Sequence, residues 1–314
     1  MIAPIPRLRL SAALLVLSAV ASPAADPSSS ARTAPVLSVL TIRKRVEEVQ
    51  VVFTVQDGNK LVTDVTGDQL TLLEDGQRVL GLTTFRQQFD LPLRVALLVD
   101  CSDSMQKGFA AEQQAARRFL ERLLRPNIDS VLLAEFSTHV SISQQPPGSA
   151  QLISTELQSM HVSGLTALYD ALFETSQHSM MNGRELQPSR RVAFLLSDGD
   201  DNYSRYSLED AIAAAQQSEI VIYAITAHND SRRHPGDAVL QRLAKATGGR
   251  AFVLKSFNRV DQVFAQIGDE LRTQYSVTFH PLSADRCGYH AIELRHRNPR
   301  LRIRARDGYY GCRP

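Results

Sequence analysis

The 314 residues carry 35 basic and 33 acidic side chains, a formal net charge of +2, with 43% hydrophobic and 22% charged residues. This is the composition of an ordinary globular chain, long enough for one large domain or two modest ones. The near balance of charge removes any electrostatic reason to expect nucleic acid or an anionic membrane surface as partner.

Residues 1–25 read as an export signal: Arg7 and Arg9 form a short basic start, Leu10 to Val20 a small apolar core, and Ala19-Val20-Ala21 and Ser22-Pro23-Ala24 offer small-residue cleavage sites. An N-terminal anchor is the other reading, but the apolar run is too short for ~30 Å of hydrocarbon. The mature chain is expected to lack a transmembrane segment and to be periplasmic or extracellular. Residues 26–35 continue as a Ser-, Pro- and Ala-rich leader.

From 36 to 92 the pattern is β. Val46–Val55 alternates in part, Leu70–Leu73 is apolar, and Asp57-Gly58-Asn59 and Glu74-Asp75-Gly76 are turn signals. The texture changes over 93–273. The apolar runs Val95–Val99, Val192–Leu196 and Ile220–Ile225 suit strands buried on both faces of a parallel sheet. Amphipathic segments at Ala110–Leu124, Leu208–Gln216, Ala238–Ala246 and Phe257–Thr273 lie among them, with a hairpin expected at Val131–Phe136 and Val140–Ile142. Alternation of this kind predicts an α/β fold with a doubly wound, mostly parallel sheet.

Residues 274–314 return to β. Tyr275–Phe279 is one strand, and Tyr289–Arg295 and Leu301–Ala305 are expected to form a hairpin about Asn298-Pro299. That hairpin would set Cys287 opposite Cys312 at its base, within reach of a disulfide in an oxidising compartment, the other reading being two free thiols. Neither β region alone buries much core, so the two are expected to join as one small sandwich into which the α/β domain is inserted; two separate appendages are the alternative.

Asp100 ends the first apolar run, and Asp100, Ser102 and Ser104 recur at i, i+2 and i+4 on the loop beyond it. Open α/β sheets bind ligands at such strand ends, and a carboxylate with two hydroxyls suits Mg²⁺ or Mn²⁺ rather than Zn²⁺ or copper. A Ser-rich turn capping a helix would look similar. Two later segments stand at comparable boundaries: Ser163-Gly164-Leu165-Thr166 and Leu196-Ser197-Asp198-Gly199-Asp200-Asp201. Thr166 could be a plain helix N-cap, and Asp198 could make an Asx-turn. Asp200 and Asp201 read as solvated rim residues.

With these three segments the chain resembles the von Willebrand factor type A family and its metal-ion-dependent adhesion site. The resemblance covers about 93–273, and the flanking stretch Gly67-Asp68-Gln69-Leu70 through Glu74-Asp75-Gly76 and the ending Arg304-Ala305-Arg306-Asp307-Gly308-Tyr309-Tyr310 are similar to a bacterial subfamily with a preceding β region. It implies one Mg²⁺ or Mn²⁺ ion held by Asp100, Ser102, Ser104, Thr166 and Asp198, directly or through water, with a partner's Asp or Glu completing its shell. It also implies that the Thr166 loop can move in concert with the last helix.

Catalytic signatures are missing: there is no G-x-S-x-G, H-E-x-x-H, phosphate loop or G-x-G-x-x-G. An aspartyl phosphatase of the haloacid dehalogenase kind would need a second Asp where Ser102 stands. The expectation is therefore a non-enzymatic, metal-dependent protein-binding module. A metal-independent structural or assembly subunit is the alternative.

Overall fold

The computed structural model describes residues 48–311 except 88–90, 146–148, 179–188, 229–231, 233 and 283–286, all within one compact unit, Lys44–Pro314. The export signal, the leader and Cys312 of the expected disulfide lie outside the described residues. Cys101 is a free, buried thiol.

The α/β part is built on six strands: β6 (Leu93–Asp100), β7 (Ser130–Phe136), β8 (Val140–Gln145), β9 (Arg190–Leu196), β10 (Ile220–Ala227) and β11 (Arg250–Leu254). Their order across the sheet is β11-β10-β9-β6-β7-β8, parallel throughout except for β8, which runs antiparallel to β7. Among the described residues six helices accompany them: α1 (Phe109–Leu123), α2 (Ala150–Ser159), α3 (Leu168–Gln177), α4 (Leu208–Gln217), α5 (Pro235–Thr247) and α6 (Val260–Arg272).

Strand β6 explains its own continuous apolar sequence. Leu93, Val95, Leu97 and Val99 enter a core shared with α1, α2 and α6, while Ala96 and Leu98 enter a second core with α3, α4 and α5. Successive side chains of a strand point to opposite faces, so burial of both faces demands an apolar residue at every step. Strand β6 also sits where the chain reverses its direction of travel. Connection to β7 moves one way across the sheet, and the later return places β9 on its other side. Asp100 and Asp198 thus end neighbouring strands at the topological switch point, where such sheets bind ligands.

The β part has two layers. One contains β1 (Val49–Asp57), β2 (Lys60–Leu61), β5 (Thr84–Gln87), β12 (Tyr275–Phe279) and β14 (Arg302–Ala305), in the order β14-β1-β12-β5 with β2 beside β1. The other runs β15-β13-β3-β4, from β3 (Leu70–Glu74), β4 (Gln77–Arg78), β13 (Tyr289–His296) and β15 (Gly308–Tyr310). Val51, Phe53, Tyr275, Val277 and Phe279 from the first layer share a core with Leu72, Ile292, Leu294 and Tyr309 from the second. Segments before and after the α/β domain therefore form one sandwich.

The expected hairpin of 289–295 with 301–305 does not form. Strand β13 pairs with β3 and β15, whereas β14 pairs with β1 in the opposite layer. The connection crosses between layers, with the Arg297 N–H bonded to the Gln69 carbonyl. A hairpin would have left the second edge of β1 unpaired. Crossing gives both β1 and β13 partners on two sides, which satisfies more backbone groups.

Candidate metal centre

Asp100 is fully buried at the end of β6, and both its carboxylate oxygens are held. The Ser102 N–H donates to Oδ1 at 3.0 Å and the Ser197 hydroxyl donates to Oδ2 at 2.6 Å. Burial and the nearby charge of Asp198 push the Asp100 carboxyl up to about 6, against those hydrogen bonds, which pull it down. Ser102 precedes a short 3-10 turn, and its hydroxyl makes no cap bond to it. Instead, its Oγ lies 3.1 Å from the Ser104 Oγ, so two hydroxyls converge beside the Asp100 carboxylate.

The loop carrying Thr166 is laced to the first loop and to the loop after β9. The Ser163 N–H bonds the Cys101 carbonyl, and Asp103 and Gly164 bond each other twice, through backbone and through the Asp103 carboxylate. The Thr166 N–H donates to Asn202 Oδ1 at 2.9 Å, and its carbonyl accepts the Asn202 and Tyr203 N–H groups. Thr166 is not the cap of α3: Ala167 holds that position without a side-chain cap. The free N–H groups of Tyr169 and Asp170 are met by Asp201 and Ser204 instead, so Asp201 is a cap supplied from another loop rather than a solvated rim residue.

Asp198 follows β9 and makes an Asx-turn, accepting the Asp200 N–H at 3.1 Å. Gly199 sits at φ +83° with the backbone of Gly236, in the first turn of α5, against it, so a side chain on either would strike the other's turn. Ser197 carries no role legible in the sequence. Its hydroxyl accepts the Gly199 N–H at 3.0 Å while donating to Asp100, and so ties the Asp198 turn to β6.

The donors gathered here are oxygen atoms of carboxylates and hydroxyls, and they fit a hard divalent cation. A buried acid stands close by that was not singled out from the sequence. Glu112 in α1 has an Oε1 atom without a hydrogen-bond partner, and the charges of Asp100 and Asp198 both act on it. Only the fold could reveal it, since nothing in the run Ala110-Ala111-Glu112-Gln113 marks it out.

This architecture, a switch-point site on a doubly wound sheet, is that of the von Willebrand factor type A domain, and that family matches residues 95–266, more than half of the chain. The chain belongs to the von Willebrand factor type A domain family. Among curated relatives, a UPF0353 protein of Mycolicibacterium gilvum is 23% identical over 203 residues, covering 56% of this chain and 60% of that protein. The chain thus spans less than two thirds of that relative's length. Among solved structures, proximal thread matrix protein 1 of the mussel byssus, with a zinc-occupied MIDAS motif, superposes with a TM-score of 0.51 at 16% identity, covering 63% of this chain and 50% of that one. A von Willebrand factor type A protein from Catenulispora acidiphila covers 86% of this chain and 74% of its own at 10% identity, with a TM-score of 0.48.

Proposed function

We propose that this protein is an exported, non-enzymatic binding module that captures a carboxylate of a partner protein at a divalent ion, Mg²⁺ or Mn²⁺, held by Asp100, Ser102, Ser104, Thr166 and Asp198. The observation that carries the reading is the paired hydroxyls of Ser102 and Ser104, 3.1 Å apart, beside a buried Asp100 whose oxygens are both pre-oriented. A shell made largely of hydroxyls keeps exchangeable positions on the ion, and an external Asp or Glu is a suitable further ligand.

The rim supports a protein partner. Leu165 and Tyr203, which flank Thr166 in the laced loops, are 47% and 50% exposed. They offer apolar contact to whatever side chains neighbour the captured carboxylate. Export is supported by the pattern of residues 1–25, and among the described residues no helix is long and apolar enough to cross a membrane.

The test is capture of partners from the native exported fraction, with Mg²⁺ or with EDTA, by wild type and by Asp100→Ala. Partner binding that requires Mg²⁺ and falls by at least about 10-fold in the variant supports the reading. Binding indifferent to both EDTA and Asp100→Ala would establish the metal-independent assembly role instead.

A further inference from the structure

Helix α1 begins at Phe109, five residues beyond Ser104, and Glu112 lies in its first turn. Positions three, four and seven residues further on, Ala115, Ala116 and Phe119, belong to the core between α1 and the sheet. That spacing puts Glu112 on the inward face of the helix. It is accordingly buried, and no ion pair to it is found among the described residues. One of its oxygens, Oε1, is buried with no hydrogen-bond partner.

A carboxylate in this position is costly to a fold. Leaving a buried acceptor unsatisfied destabilises, and leaving a buried charge unpaired destabilises more. A leucine or alanine would serve core packing better. Burial above all, and then the charges of Asp100 and Asp198, push its carboxyl up to about 8. Three acids therefore act on one another, and the first turn of α1, directly after the loop of Ser102 and Ser104, is where the third is buried. A cation in their midst reverses the sign of every one of these interactions, turning mutual repulsion into shared attraction.

We propose that Glu112 is a third carboxylate of the metal centre, acting on the ion by its charge from the first turn of α1 and strengthening the binding of hard divalent cations. The five residues already assigned to the ion remain as they are. Glu112 adds negative charge beneath them, where solvent does not screen it. The inference rests on the metal-binding reading of Asp100, Ser102 and Ser104, and extends it to a residue outside all three loops.

Mn²⁺ titration of the full chain, by isothermal calorimetry or by the paramagnetic signal of the free ion, tests this in wild type and Glu112→Gln. Thermal melting of both proteins in EDTA serves as the fold control. The expected result is a Glu112→Gln protein that melts at least as high as wild type in EDTA yet binds Mn²⁺ roughly 10-fold more weakly. Equal affinity within about twofold in the folded variant overturns the proposal and makes Glu112 merely a buried acid. Should the variant not fold, Glu112→Leu, which removes the charge at similar volume in a core position, takes its place with the same two outcomes. Wild type that binds no Mn²⁺ sinks the metal-centre reading itself, a result distinct from equal binding by wild type and variant.

Discussion

In the β sandwich, Glu74 is 1% exposed and both its oxygens are hydrogen-bonded, Oε1 by the Tyr309 hydroxyl at 2.7 Å and Oε2 by the Leu282 N–H at 2.6 Å. In the α/β domain, Glu112 is 2% exposed, with Oε1 unpartnered and two further acids acting on it. The two glutamates are equally hidden and differently treated. Around Glu74 the chain has brought its own partners together: Asp75 accepts the Ala291 N–H at 2.9 Å and bonds His290 Nδ1 at 2.8 Å, and the His290 ring stacks on Tyr309. The Glu74-Asp75-Gly76 turn and the Asp307-Gly308-Tyr309-Tyr310 ending, remote in sequence, are thereby joined at one polar knot. Ligand atoms of Glu74, Asp75 and His290 come within 4.8 Å of one another. These groups are hydrogen-bonded to one another and to their neighbours, which makes the knot a fastening of the fold. A buried acid that the protein satisfies holds structure together; one that it leaves unsatisfied calls for a partner, which the metal centre proposed above supplies.

The contrast is broken or sharpened most strongly by removing each acid in turn. Glu74→Ala strands the Tyr309 hydroxyl and the Leu282 N–H, at about 1–3 kcal/mol each, and is expected to lower the melting temperature by on the order of 5–10 °C. Glu112→Gln in EDTA is expected to leave the melting temperature unchanged or raised. Melting curves in which both variants lose stability alike would dissolve the distinction.

A smaller effect is the pH dependence of the difference between wild type and Glu112→Gln, again in EDTA. The Glu112 carboxyl is raised from 4.5 to about 8, so the folded state binds its proton more tightly than the unfolded state does. Stability associated with the neutral acid is fully present below about 4.5 and is lost as pH rises towards 8. The melting temperature of Glu112→Gln should therefore exceed that of wild type by a margin that grows across this window and is absent beneath it. A margin independent of pH would remove the buried acid as its cause.

The least disruptive probe is Ser197→Ala, which deletes the bridge between Asp100 and the Asp198 turn. A loss of about 1 kcal/mol in stability is expected, with Mn²⁺ affinity reduced by roughly 10-fold because Asp100 is no longer oriented. An unaltered Mn²⁺ titration would mean that Ser197 serves the turn alone.

The continuous apolar runs at 95–99, 192–196 and 220–225, and the i, i+2, i+4 oxygens of Asp100, Ser102 and Ser104, were determined by the sequence itself. Each is a short-range pattern, and burial on two faces or convergence on one loop needs no knowledge of distant residues. Tertiary structure alone decided the rest. It parted β13 from β14 into different layers, because strand pairing across a sandwich depends on which edges the N-terminal segment leaves open. It chose Ser197 to hold Asp100 across 97 residues, and Asn202 to hold Thr166 across 36. It buried Glu112 on the inward face of α1. Such contacts follow from strand order and helix rotation, and these are settled only when the two cores pack. The oxygens beside Asp100 could thus be read from the chain, while the groups that aim them, and the third charge beneath them, came from the fold.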